Sequence, residues 1–167
     1  MRRAPGTETM VRMGELAVSA TPGDVLVSIG LGSCIGLALV DARRGLAGLA
    51  HIMLPGDNGA FPGDSVLAKY AKAAVPELVD RLLVLGAVKR QLEAVIVGGA
   101  QMFTNGGSGL DIGARNEEAT RAALDRVGIP IRAAATAGRS GRTMRVHVAP
   151  PRITSKEVGG QEVVLLS

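Results

Sequence analysis

The sequence predicts an α/β protein with α+β character, in which two main helices cover a mixed β-sheet as a layered sandwich. Three observations predict this class. Short apolar segments of strand length recur along most of the chain. Two longer segments place apolar residues three and four positions apart, as one face of a helix requires. The order of several strands, a helix, a strand, a helix and further strands is typical of helices that cover a mixed sheet.

The first third of the chain is expected to be mainly β-structure. Residues 1–9 are predicted to be a flexible tail, and residues 54–63 a loop. Between the tail and the loop, turn sequences rich in Gly, Pro and Asp separate four apolar segments. The predicted strands are residues 11–18, 25–29, 35–40 and 46–53.

A first helix should follow, beginning near Asp64 or Ser65, since either side chain can cap a helix N-terminus. Pro76 should kink or divide this helix because proline lacks the backbone N–H. Gly86 is a plausible stop.

The second half should hold one more helix between strands. That helix is expected over residues 115–127, with Gly128 as its stop. The predicted strands are residues 93–97, 131–136, 143–149 and 162–166.

Composition fits one domain over residues 1–167, with 47% hydrophobic and 20% charged residues. The net charge of +4 is scattered, and only three residues are aromatic, so we do not expect nucleic-acid binding. No apolar stretch follows the basic start, so a signal peptide is not predicted. The apolar run over residues 25–40 is too short to cross a bilayer and contains glycines. We therefore expect a cytoplasmic protein without membrane insertion, whose cysteine is reduced.

Cys34 is the only cysteine, and Gly30, Gly32 and Gly36 surround it. One thiol can form neither an internal disulfide nor a thiolate zinc site. Spacing alone leaves a core residue and a nucleophile about equally favoured. The glycines favour the nucleophile, because they let backbone N–H groups approach a substrate carbonyl. The spacing resembles a nucleophile elbow, but a strand rather than a helix is expected after it.

A cysteine nucleophile needs a basic partner. His51, at the end of an apolar strand, is the better candidate of two histidines. His147 lies in an alternating strand on the face opposite the apolar residues, and is predicted to face solvent. A third group should orient the imidazole. Residue chemistry leaves four candidates open for it: Ser28, Asp24, Asp41 and Asn116.

Five segments in order resemble the chemoreceptor glutamine deamidase (CheD) family. They are residues 31–36 around Cys34, 51–55 beginning at His51, 98–103, 112–116 and 138–143. Any one of them alone would be weak evidence, because residues 98–103 also suit a tight turn and residues 111–116 also suit helix caps. Residues 148–152 depart from the usual ending after the last segment.

The resemblance implies hydrolysis of selected glutamine side chains to glutamate on methyl-accepting chemotaxis receptors, by a Cys–His–Thr triad on a layered fold akin to glutamine-deamidating toxins. Cys34 and His51 match the first two members, and Ser28 stands where the family usually has Thr. No metal or organic cofactor is implied. Residues expected near the oxyanion or the substrate are Ser33, Gly32, Gln101 and Asn116.

The resemblance also implies a possible second partner, a CheC-type phosphatase of the chemotaxis response regulator. Two alternatives to the deamidase stay open. One is a non-catalytic interaction module that regulates such a phosphatase. The other is a cysteine hydrolase of small amides or thioesters.

Overall fold

Two five-stranded sheets pack face to face in the computed structural model, which describes residues 5–55, 68–102 and 111–167. Two helices and one short 3-10 helix, Lys89–Gln91, accompany them. The helices are α1 Ala71–Val84 and α2 Ile112–Val127. The strands are β1 Glu8–Met10, β2 Leu16–Ser19, β3 Val25–Leu31, β4 Ile35–Asp41, β5 Leu46–Ile52, β6 Glu93–Gly98, β7 Ile131–Thr136, β8 Arg142–His147, β9 Arg152–Glu157 and β10 Glu162–Leu166.

Both sheets are mixed. The first has the order β1-β3-β8-β9-β10, and the second has the order β2-β5-β4-β6-β7. The pairs β1–β3 and β6–β7 are parallel, and the other pairs are antiparallel. The predicted layered α+β class is confirmed, with two stacked sheets beneath the helical layer.

Strand β4 lies at the centre of the core, and all seven of its residues are buried. Leu37 and Leu39 face the helices, in a cluster with Leu78 and Leu124. Ala38 and Val40 face the first sheet instead. Burial on both faces explains why this strand reads as an unbroken apolar run. Each fully buried Leu contributes about 1.5–3 kcal/mol relative to an exposed one.

The prediction of a single strand over residues 11–18 was wrong. Two short strands flank a turn at Met13 and Gly14, and Gly14 has φ +78°. The first strand, Glu8–Met10, includes the last two residues of the expected tail and pairs with β3. Val11 continues that pairing, since its N–H donates to the carbonyl of Val27 at 2.7 Å. The turn lets one segment serve both sheets.

Helix α1 begins at Ala71 with Tyr70 at its N-cap, later than predicted. The predicted caps Asp64 and Ser65 lie outside the described residues. Pro76 lies inside the helix, which continues to Val84 without division. The chain leaves the helix at Leu85 and Gly86, where Gly86 has φ +107°. The predicted stop is therefore confirmed.

Helix α2 starts three residues before the predicted position. Asp111 caps it, because its carboxylate accepts a hydrogen bond from Ala114 N at 2.9 Å. Gly128 ends it in the left-handed conformation, as predicted.

Strand β9 was not predicted. It holds a single large aliphatic residue, Ile153, among polar ones, so apolar periodicity gave no signal for it. Pairing with β8 on one side and β10 on the other satisfies its backbone. Among the described residues, no helix has the length and apolar character needed to cross a membrane.

Candidate active site

Cys34 lies in the turn by which the chain passes from β3 in the first sheet to β4 in the second. The side chain is half-buried and packs against the apolar cluster between the sheets. The strand predicted after the cysteine is confirmed, so this turn differs from a strand-to-helix nucleophile elbow.

The carbonyl groups of this turn are held by the neighbouring backbone. Cys34 O accepts a hydrogen bond from Gly99 N at 2.9 Å, and Gly32 O accepts one from Ala100 N at 2.8 Å. Ser33 O accepts from Asn116 Nδ2 at 2.8 Å. Within the described part of the chain, no backbone oxygen accepts from the N–H groups of Ser33 or Cys34. These two N–H groups therefore stay available as donors to a developing oxyanion.

Glycines around the turn have packing reasons of their own. Gly98 has φ +114°, and a Cβ there would lie 2.2 Å from Cys34 O. A Cβ on Gly36 would lie 2.8 Å from Leu31 Cδ1 and 2.9 Å from Met144 Sδ. Close approach of β6 to the cysteine backbone thus requires glycine at position 98, whereas the atoms near position 36 are the ends of flexible side chains that can shift.

His51 is brought towards Cys34 by the register of β4 and β5. Gly36 and His51 are directly paired across these antiparallel strands. Cys34 precedes Gly36 by two residues and therefore lies on the same side of the sheet, towards the first sheet.

The imidazole is anchored by a main-chain oxygen. His51 Nδ1 lies 3.2 Å from Val11 O, and the buried Ser28 hydroxyl donates to the same oxygen at 2.9 Å. A carbonyl can only accept, so Nδ1 carries the proton and Nε2 is the basic nitrogen. Nε2 is buried and has no hydrogen-bond partner among the described residues. The basic nitrogen is thus free to take a proton from a thiol.

Burial acts on both reacting groups in the same sense. It lowers the pKa of His51 below the usual 6.5, and the Val11 hydrogen bond and the charge of Glu15 oppose this only in part. Burial also raises the pKa of the Cys34 thiol above the usual 9.0. Both directions favour the neutral forms. The resting groups are therefore a thiol and a neutral imidazole that are not hydrogen-bonded to each other, and His51 would have to act as a general base.

Of the four candidates for the orienting group, Ser28 is joined to His51 through Val11 O. Asp24 instead accepts from Ser19 Oγ at 2.6 Å and from a backbone N–H. Asp41 is buried at the opposite end of β4. The contribution of Val11 was missed, because it comes from a main-chain carbonyl that no residue pattern reveals.

Asn116 is fully buried on the first turns of α2. Its Nδ2 donates to Ser33 O at 2.8 Å and to Met53 O at 3.0 Å. One side chain thereby links the helix to the cysteine turn and to the residue after β5. Oδ1 is buried without a partner among the described residues.

A small surface cavity adjoins the cysteine turn. Residues that line it include Ser33, Gln101, Met102 and Asp111. Gln101 is exposed, and its N–H donates to Gly138 O at 2.9 Å. A Cβ on Gly32 would lie 2.9 Å from Met102 Cγ. Ser33 and Gln101 thus line one cavity, and Gly32 lies against Met102 beside it. Phe103, the last residue of the segment 98–103, lies outside the described residues.

Two other sequence features lie apart from this site. His147 is half-buried on β8 and pairs with Val25. Arg142 holds the β7–β8 turn, donating to Ala137 O at 2.8 Å and lying 3.6 Å from a carboxylate oxygen of Glu157. Across residues 5–55, 68–102 and 111–167, no three His, Cys, Asp or Glu side chains converge as metal ligands would.

The fold and this arrangement define a layered α+β protein with a cysteine and a histidine between two sheets. The family model of CheD chemotactic sensory transduction matches residues 53–157. Three curated relatives bear the name probable chemoreceptor glutamine deamidase CheD. That of Clostridium novyi is 41% identical over 154 residues, covering 91% of this chain and 94% of its own. That of Moorella thermoacetica is 46% identical over 155 residues, covering 91% and 92%. That of Geobacillus kaustophilus is 43% identical over 146 residues, covering 84% and 88%.

The chain therefore belongs to the CheD family, and the resemblance inferred from its motifs is confirmed. A crystal structure of the Bacillus licheniformis hypothetical protein YfiH matches 78% of this chain and 59% of its own. Its TM-score is 0.44 and its sequence identity 16%, so the likeness carries no inference about function.

Proposed function

We propose that this protein hydrolyses side-chain amides of selected glutamines in chemotaxis receptors, giving glutamate and ammonia. The names of its relatives support the reaction and the substrate class. The observation that supports the proposal is the β4–β5 register, which pairs His51 with Gly36, two residues after Cys34. Residues of these two types in such a pair are suited to attack on a carbonyl carbon.

The first half-reaction is acylation of the thiol. His51 Nε2 takes the proton of Cys34 as Sγ attacks the glutamine Cδ. The carbonyl oxygen becomes an oxyanion, for which the N–H groups of Ser33 and Cys34 are the proposed donors. His51 then gives its proton to the departing nitrogen. The C–N bond breaks, and ammonia leaves a thioester on Cys34.

The second half-reaction is hydrolysis of that thioester. His51 Nε2 takes a proton from water, whose oxygen attacks the same carbon. The C–S bond breaks, the sulfur regains the proton, and the glutamate side chain is released. Every proton transfer in both half-reactions passes through His51 Nε2, which has no hydrogen-bond partner among the described residues.

The remaining site residues are proposed to position these groups. Ser28 supports Val11 O, and Val11 O orients the imidazole. Asn116 fixes the carbonyl of Ser33, so that the neighbouring N–H groups keep their direction. Gln101 lies on the adjoining rim, where it could contact the polypeptide that carries the glutamine.

Cytoplasmic receptor helices as substrate imply that the protein acts in the cytoplasm. A CheC-type phosphatase is retained as a predicted second partner on the family resemblance alone.

The test incubates purified protein with a glutamine-containing cytoplasmic receptor fragment and maps amide-to-acid conversion by mass spectrometry. We expect conversion at a few defined glutamines with the wild-type protein, and none with Cys34→Ala. Conversion that persists in Cys34→Ala would contradict the mechanism. No conversion by folded, reduced wild-type protein would contradict the function and favour the interaction module, with phosphatase binding as the next measurement.

A further inference from the structure

A second cavity, of about 510 Å³, lies at the end of the molecule opposite the cysteine turn. The turn after β4 forms one wall, and the segment leading into β6 forms the other. Strand β4 runs from beside Cys34 to Asp41 next to this cavity, and its seven residues span roughly 20 Å. The cavity is therefore separate from the candidate active site.

A buried carboxylate holds the two walls together. Asp41 is fully buried, and its Oδ2 accepts from Val88 N at 3.0 Å while its Oδ1 accepts from Arg44 N at 3.2 Å. Arg44 Nη1 donates in turn to Gln91 Oε1. Buried polar groups whose hydrogen bonds are satisfied in this way fix their segments rigidly. The cavity is thus built before any ligand arrives.

Two arginines on the lining have no carboxylate partner. Arg43 and Arg90 are both exposed, and neither forms an ion pair with any described residue. The acidic lining residue, Glu93, has Oε1 3.5 Å from Arg132 Nε. The cavity therefore keeps an excess of positive charge in two guanidinium groups, whose planar donor sets match oxyanions.

The remaining lining suits a small organic anion. Ala42 and Pro130, which are both exposed, provide apolar surface, whereas the side chain of Leu92 is buried in the core. Gln91 Oε1 is occupied by Arg44, which leaves the Gln91 amide NH₂ as a further donor. A volume of about 510 Å³ falls within the range of small-molecule sites, roughly 300–1,000 Å³.

We propose that this cavity binds a small organic oxyanion, a phosphate or a polycarboxylate, between Arg43 and Arg90. The organic part lies against Ala42 and Pro130. The proposed deamidation does not require this site, so a test of one proposal does not decide the other.

Pyrophosphate, inorganic phosphate and citrate are the probes. Each is titrated into the full-length protein at low ionic strength, because salt screens exposed charges. Backbone amide chemical shifts are followed by NMR. We expect saturable shifts centred on residues 42–44 and 88–93. Preference for pyrophosphate over citrate would assign the site to phosphates, and the reverse would assign it to polycarboxylates.

The double variant Arg43→Gln/Arg90→Gln should lower the affinity for the tightest-binding of these probes at least tenfold. The control Arg152→Gln/Lys156→Gln also removes two positive charges, but from exposed positions on β9. It should leave the affinity within about twofold of the wild-type value. Thermal unfolding checks that both variants fold, and the single variants Arg43→Gln and Arg90→Gln should each show an intermediate loss. Shifts that do not saturate, shifts centred elsewhere, or equal weakening by the control would overturn the proposal.

Discussion

Ser28 and His51 meet at one oxygen atom. The Ser28 hydroxyl and His51 Nδ1 both donate to the carbonyl of Val11, at 2.9 and 3.2 Å. The hydroxyl and the imidazole therefore share one acceptor in the backbone that follows β1. A Thr side chain at this position could place its hydroxyl at the same oxygen, so the orienting role proposed for Ser28 needs only the hydroxyl.

Removal of the Ser28 hydroxyl should slow deamidation far less than removal of His51. In Ser28→Ala, the imidazole keeps its own hydrogen bond to Val11 O, so we expect less than a tenfold loss of kcat/KM. His51→Ala removes the base and should lose roughly 100- to 10,000-fold. Both are measured on the receptor fragment.

Ser28→Thr is the matched control, since it keeps the hydroxyl and should retain activity close to that of the wild type. Equal losses in Ser28→Ala and His51→Ala would mean that the hydroxyl takes part in the proton transfer itself.

Alkylation of Cys34 should require a higher pH than alkylation of a free thiol. Burial raises the thiol pKa above 9.0 and so disfavours the reactive thiolate. The measurement is the iodoacetamide rate against pH, beside that of an unstructured cysteine peptide. A profile shifted to lower pH would instead reveal a thiolate–imidazolium pair in the resting enzyme.

The acid limb of deamidase activity should lie below pH 6.5. His51 accepts a proton only when neutral, and burial lowers its pKa below that value. Activity is then retained as the pH falls through 6.5, and is lost only as the pH passes the lowered pKa. We would measure kcat/KM against pH on the receptor fragment; half-loss of activity at or above pH 6.5 contradicts the expectation.

Asn116→Ala should destabilise the protein by about 2–4 kcal/mol, because a fully buried side chain is removed and two part-buried carbonyl groups lose their donor. The free energy of unfolding is measured by urea denaturation. Glu118→Ala, at an exposed position on the same helix, should change it by less than about 0.5 kcal/mol. Activity of the folded fraction should also fall, since the Ser33 carbonyl is no longer held. Similar stabilities in the two variants would show that Asn116 does not fix the turn.

Gly98→Ala and Gly128→Ala separate conformational strain from a steric clash. Both residues have positive φ, at +114° and +74°. Nothing lies within 4 Å of a Cβ on Gly128, so that change should cost about 1–2 kcal/mol for the left-handed conformation. A Cβ on Gly98 would lie 2.2 Å from Cys34 O, so Gly98→Ala should cost more and displace the cysteine turn. Denaturation and Cys34 alkylation of both variants measure this, and equal effects would contradict it.

Local patterns predicted most of the regular elements. Strand β7 was predicted with its observed bounds, because its apolar residues lie between the turn residues Gly128 and Gly138. The end of α2 at Gly128 was also predicted, since glycine readily takes the left-handed conformation. Strand β9 was missed because its conformation is set by the strands on either side and not by its own residues.

The candidate site was predicted in part. Cys34 and His51 were singled out by residue chemistry, and their common face follows from an antiparallel register that spacing alone does not specify. Asp24 and Asp41 were equally good orienting groups by chemistry, yet each is held elsewhere by hydrogen bonds. Asn116 was a candidate for imidazole or substrate contact, and the structure shows it joined to two backbone carbonyls.

The sequence by itself determined which chemical groups are present, where most strands and helices form, and to which family the motifs point. These properties depend on neighbours a few positions apart, because side-chain periodicity and capping are local. Only the tertiary structure decided that the carbonyl of Val11 anchors His51. Every residue carries the same carbonyl, and its partners are chosen by the parallel pairing of β1 with β3 and the stacking of one sheet on the other.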